Sequence, residues 1–178
     1  MKKIVLPLIA TAMGLVGSAA YASDGTVTIN GQISAETCTV SGNGQGKSFT
    51  VTLPTVSASA LSTAGATAGS TGFAIDLTGC TPQTGNVHTF WEYGANTLSD
   101  GNLLNNGTAT NVEVQLQDMN GSIQSIDVSK ADGAQNSQSV AINAGTAKLQ
   151  YAAQYLTPAG GATAGNVTTS VTYSMSYQ

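Results

Sequence analysis

Val167-Thr168-Thr169-Ser170-Val171-Thr172-Tyr173-Ser174-Met175-Ser176-Tyr177 reads as one long amphipathic strand, with Gln178 following at once. Its odd positions carry the larger, mostly apolar side chains and its even positions are all Thr or Ser. A period of two is the side-chain period of extended backbone, so one face is built for burial and the other for water. Such a segment must find hydrogen-bonding neighbours on both sides. Otherwise a row of N–H and C=O groups stays unpaired beside an exposed apolar groove.

The same period recurs upstream. Phe49, Val51 and Leu53 alternate with Thr50 and Thr52; Phe73, Ile75 and Leu77 alternate with Ala74 and Asp76. Val112, Val114 and Leu116 repeat it, as do Leu149, Tyr151, Ala153 and Tyr155. Each predicts a strand with one buried face. Turn formers separate them, including Asp100-Gly101-Asn102, Asn105-Asn106-Gly107 and Asn120-Gly121, the last a hairpin signal. No helical stripe of useful length competes, so the fold class is all-β, an antiparallel sandwich. Ser57 to Thr71 and Thr157 to Gly165 are nearly low-complexity Ala, Gly, Ser and Thr, and read as loops or irregular turns.

At the other end, Val27, Ile29, Gly31 and Ile33 alternate with Thr28, Asn30 and Gln32. This is a second strand with one apolar face, notched where glycine removes a side chain. It can pair with the Val167–Tyr177 strand of its own molecule or with that of another copy. Both choices satisfy the same hydrogen bonds.

Before this arm, Lys2 and Lys3, the apolar stretch Ile4 to Val16 and Ala20-Tyr21-Ala22 have the form of a secretory signal with a small-x-small cleavage site. A membrane anchor is the competing reading, but Pro7, Gly14 and Gly17 interrupt the run and leave it short of a bilayer span. The expected organisation is a leader over 1–22, an arm over 23–37 and a single domain over 38–178. Export places Cys38 and Cys80 in an oxidising compartment, where an even count favours one bond between them; the alternative is two buried thiols.

Charge narrows the function. Only 8% of residues are charged, and beyond Lys2 and Lys3 the basic residues are Lys47, Lys130 and Lys148, with no arginine. No basic patch exists to displace phosphate counterions, so a nucleic-acid partner is not expected. His88 is the single histidine and no serine sits in a Gly-x-Ser-x-Gly turn, so neither a catalytic set nor a cofactor is expected; His88 beside Trp91 reads as structural. Asp100, Asp118, Asp127 and Asp132 lack calcium-loop spacing, and no metal site is expected.

At several of these stretches the sequence resembles the major (shaft) subunits of type 1 fimbriae, assembled by the chaperone–usher route in Gram-negative bacteria. The matching residues are Gly31-Gln32-Ile33 leading to Cys38-Thr39-Val40, and Gly72-Phe73-Ala74-Ile75-Asp76-Leu77-Thr78-Gly79-Cys80. They continue with Thr110 to Asp118, Tyr151-Ala152-Ala153-Gln154-Tyr155 and the ending Tyr173-Ser174-Met175-Ser176-Tyr177-Gln178. The resemblance implies an immunoglobulin-like sandwich lacking its final strand, completed by a donor strand from a neighbouring subunit. It implies donor residues Val27, Ile29, Gly31 and Ile33, and an acceptor groove and chaperone contact at Val171, Tyr173, Met175 and Tyr177. The implied partners are copies of the chain in a helical filament, a periplasmic chaperone, an outer-membrane usher and tip subunits. The implied destination is the cell surface, reached through the periplasm. A minor adaptor or terminating subunit would share these motifs. A monomeric secreted carbohydrate-binding sandwich would instead complete its sheet within one molecule.

Overall fold

The computed structural model describes residues 26–29 and 37–178. The expected leader, 1–22, and the arm residues Gly31 and Ile33 lie outside the described residues. The sandwich belongs to the unit Ser34–Gln178.

Among the described residues, nine strands form two antiparallel sheets. They are β1 (Thr37–Gly42), β2 (Ala66–Thr81), β3 (Gly85–Trp91), β4 (Leu103–Leu104), β5 (Glu113–Asp118), β6 (Gln124–Ser125), β7 (Val140–Ile142), β8 (Ala147–Thr157) and β9 (Tyr173–Tyr177). The larger sheet runs β1-β2-β8-β5-β4 with β6 on β5, and the smaller runs β7-β3-β9. The alternating sequences produce this because their registers place apolar faces opposite one another. Phe73 pairs with Tyr151, Ile75 with Leu149 and Leu77 with Ala147, while Leu116 pairs with Ala153.

Between the sheets lie Phe73, Ile75, Leu77, Val87, Trp91, Val114, Leu116, Val128, Leu149 and Tyr151, in one continuous core. Burying each large side chain contributes about 1.5–3 kcal/mol before ordering costs. Aromatic rings organise its centre: Trp91 meets Tyr151 edge-on at 5.2 Å and Phe73 edge-on at 6.3 Å. The Tyr151 hydroxyl is not left dry, since it donates to Thr89 Oγ1 at 2.8 Å.

Cys38 and Cys80 are bonded, tying β1 to the end of β2 beside a register shift in their ladder. Buried Asp118 is a hub of internal hydrogen bonds: its side-chain oxygens accept from the backbone N–H and side-chain amide of both Asn120 and Gln138, at 2.8–3.1 Å. This ties the Asn120-Gly121 turn between β5 and β6 to the segment before β7.

One expectation is corrected. The stretch Ser57 to Thr71 is not wholly loop: after a 3-10 turn at Ala58–Leu61, Ala66 to Thr71 is the first part of β2. Its partner decides this, since Ala66, Thr67 and Ala68 pair with Thr157, Leu156 and Tyr155. The irregularity that the composition suggested is confined to a bulge after Ala68. There Gly69 takes φ +67°, and a Cβ would sit 3.1 Å from the Tyr155 ring.

Candidate strand-accepting groove

Two segments keep the strand period without a ladder of their own. In 48–53, Phe49, Val51 and Leu53 are partly buried and Ser48, Thr50 and Thr52 exposed; in 167–172, Val167, Thr169 and Val171 are partly buried and Thr168, Ser170 and Thr172 exposed. They form the two walls of a groove of about 950 Å³. Its floor is the sandwich core itself, reached through Phe73, Trp91, Leu103, Val114, Leu116 and Ala153.

Backbone direction sets what the walls offer. Successive residues of extended chain aim their N–H and C=O groups to alternate sides. On the second wall the even-numbered residues are used. Asn166 O accepts from Ala109 N at 3.1 Å, Thr168 O from Asn106 N at 2.8 Å and Thr172 O from Glu92 N at 2.9 Å. Thr168 N donates to Asn105 Oδ1 and Ser170 O accepts from Asn96 Nδ2, both at 2.9 Å. The odd-numbered groups of Val167, Thr169 and Val171 therefore face the other way, into the groove, and among the described residues they make no hydrogen bond. The first wall mirrors this. Gln45 folds its amide against Thr50, accepting from Thr50 N at 3.2 Å and donating to Thr50 O at 3.1 Å. The backbone groups of Phe49, Val51 and Leu53 are left directed away from Gln45.

Side-chain polarity agrees. Lys47 is the one charged residue among those lining the groove. Thr169 Oγ1 and Trp91 Nε1, both on lining residues, are buried and unpartnered among the described residues. Burial also pushes the Tyr173 and Tyr155 hydroxyls above their ordinary pKa, keeping them neutral donors. Such a slot offers two rows of backbone groups and an apolar floor, which suits an extended segment with one apolar face.

Val171, Tyr173 and Met175 are among the residues lining this groove. Tyr177 is not: it pairs with Val87 and packs, partly buried, against the core. Alternation assigns a residue to a face but not the point along the strand where a slot ends. Val27 and Ile29 are 86% and 89% exposed. Sequence reasoning missed the opposite wall and the floor. The alternation at Phe49, Val51 and Leu53 was visible, but the missing neighbour was not.

His88 is buried on β3 and bonds Asp132 through Nε2 at 2.6 Å, while Ser176 Oγ donates to the other Asp132 oxygen at 2.8 Å. Burial raises the Asp132 carboxyl, but the bonds from His88 and Ser176 outweigh it and hold it below its ordinary value. The order is His–Asp–Ser with the carboxylate in the middle, so it fastens β9 to β3 and does not activate the serine.

A two-sheet sandwich with its core open along a strand-wide slot defines a class: immunoglobulin-like structural domains completed by a strand from elsewhere. Residues 53–178 match the family model for type-1 fimbrial protein, A. The major fimbrial subunit SMF-1 of Stenotrophomonas maltophilia is 47% identical over 165 residues, covering 89% of this chain and 95% of that protein. The F17 fimbrial protein of Escherichia coli is 44% identical over 168 residues, covering 90% and 91%. Among solved structures, the type I fimbria protein BPSL1626 of Burkholderia pseudomallei shares the fold, with TM-score 0.51 and 21% identity over 80% of this chain and 97% of that one. The chain belongs to the type-1 fimbrial protein family, and it is a structural subunit of a fimbria at the cell surface.

Proposed function

We propose that this subunit polymerises by accepting, between 47–53 and 167–175, the N-terminal arm of another copy. The observation that carries the reading is the unpaired, groove-facing backbone of Val167, Thr169 and Val171 above an apolar floor. Val27 and Ile29, exposed in the described part of the arm, are suited to that floor, with Gly31 and Ile33 continuing the same face. Length agrees too: at about 3.3 Å per residue, Thr26 to Ile33 spans about 23 Å and Val167 to Met175 about 26 Å. Burying Val27, Ile29 and Ile33 would contribute about 1.5–3 kcal/mol each, and a backbone ladder would fix register.

An arm that fills the groove of another copy makes a head-to-tail contact, which propagates as an open filament. Tip subunits would cap the same series. Before assembly, a periplasmic chaperone would cover the groove with a strand of its own, and an outer-membrane usher would be the place of exchange. In this reading the leader is 1–22, the arm 23–37 and the accepting domain 38–178.

The test is a thermal melt of the exported chain with a synthetic peptide spanning Thr26 to Ile33. A bound strand raises the melting temperature by mass action. An unchanged melting temperature at saturating peptide would remove the groove reading.

A further inference from the structure

We infer that Tyr173 is a clasp: its hydroxyl holds the groove-facing carbonyl of Lys47 and keeps one end of the slot shut until an incoming strand displaces it. The inference rests on the strand-accepting reading and concerns how fast the groove fills.

Three observations carry it. Tyr173 Oη donates to Lys47 O at 2.7 Å, and among the described residues this is the hydrogen bond that joins 47–53 to 167–175 directly. The Lys47 carbonyl faces the second wall, since the Tyr173 hydroxyl reaches it from there. That carbonyl is an acceptor an added strand would use.

The second observation is what backs the tyrosine. Phe49 stands 6.0 Å from Tyr173, edge-on, and 5.7 Å from Phe73, while Tyr173 lies 5.9 Å from Trp91. The Phe49 ring in turn rests on Gly42, where a Cβ would fall 1.9 Å from ring carbon Cδ1. Glycine at that point lets the ring lie low enough to meet Tyr173 across the slot. The third is position: Tyr173 pairs with Trp91 at the end of the β3–β9 ladder. Lys47 begins the first wall, so the clasp lies at that end of the slot.

A strand that pairs as far as Lys47 competes with the Tyr173 hydroxyl for this carbonyl and must move the ring that lies across the slot. The exchange is one hydrogen bond for another, so the clasp affects the rate of insertion more than the stability of the filled groove.

The experiment measures insertion of a fluorescent Thr26–Ile33 peptide into the exported chain, kept dilute so that it stays monomeric. Tyr173→Phe removes the hydroxyl and keeps the ring. It should insert about three- to tenfold faster, the worth of one exposed hydrogen bond. Tyr173→Leu, lacking ring and hydroxyl, should be at least as fast, and serves if the phenylalanine variant does not fold. Ile142→Val loosens the core in β7, away from the groove, and should leave the rate unchanged. Equal or slower insertion into the Tyr173 variants, or equal acceleration by Ile142→Val, overturns the clasp alone. No insertion into the natural chain overturns the groove reading and the clasp with it.

Discussion

Replacing Ile29 by Asp should abolish filaments while leaving the subunit as stable as before. Ile29 is 89% exposed, so the change removes almost no burial from the subunit, and its own stability should move by less than about 0.5 kcal/mol. In the groove of a neighbour the same position loses about 1.5–3 kcal/mol of apolar burial. It also brings a carboxylate against Phe49, Val51, Leu53 and Val171, at an added cost of about 2–4 kcal/mol of desolvation. The sum, roughly 4–7 kcal/mol, weakens each subunit contact by about three to five decades. Thr28→Asp is the matched control: alternation turns residue 28 to the other face, where a charge costs little. Melting curves of exported monomer, with negative-stain microscopy and sedimentation of surface material, read both halves of the prediction. Normal filaments from the Ile29→Asp chain, or equal loss from Thr28→Asp, would refute the reasoning.

Two further predictions concern the scaffold. Cys38→Ser with Cys80→Ser opens a cross-link spanning 42 residues and should cost about 4 kcal/mol in the chain-entropy model, read as a lowered denaturant midpoint with an unchanged sandwich signature by circular dichroism. Glu113 titrates at about 7, raised by burial and then by the Asp100 charge 13 residues earlier, against 4.5 when free of the fold. The folded state therefore holds this proton more tightly than the unfolded chain, so its contribution to stability is full below about pH 4.5 and declines as pH rises through 7. Glu113→Gln keeps an acceptor for Asn102 and should flatten that part of the stability–pH curve; an unchanged slope would show that Glu113 is not the group responsible.

The sandwich was legible wherever burial follows a strict period of two. β2 over 73–77, β5 and the first half of β8, 147–151, carry that period because each has one face in the core and one away from it, so sequence and structure count the same alternation. Ala66 to Thr71 was not legible, since small residues give no contrast between faces and the pairing with Thr157, Leu156 and Tyr155 supplies the order. The groove was half legible. Val171, Tyr173 and Met175 stand out in the sequence, but a slot is defined by what does not pair with its walls, a tertiary property that neither wall encodes alone. The same limit explains Tyr177, which keeps the period yet pairs with Val87 beyond the end of the slot. Gly42 beneath Phe49 and the Gln45 amide over Thr50 are likewise contacts between residues whose types give no local sign of them.

Whether the arm of one copy fills the groove of another is measured directly by isotope-mixed crosslinking. Filaments assembled from equal amounts of heavy and light chain, with a photoreactive residue in place of Thr28, are irradiated and digested, and peptides joining the arm to 47–53 or 167–175 are weighed. With the arm paired between copies, heavy–light pairs form in the statistical proportion of mixed neighbours. Crosslinks to those walls found only between segments of the same isotope would show that each chain fills its own groove, and would contradict pairing between copies.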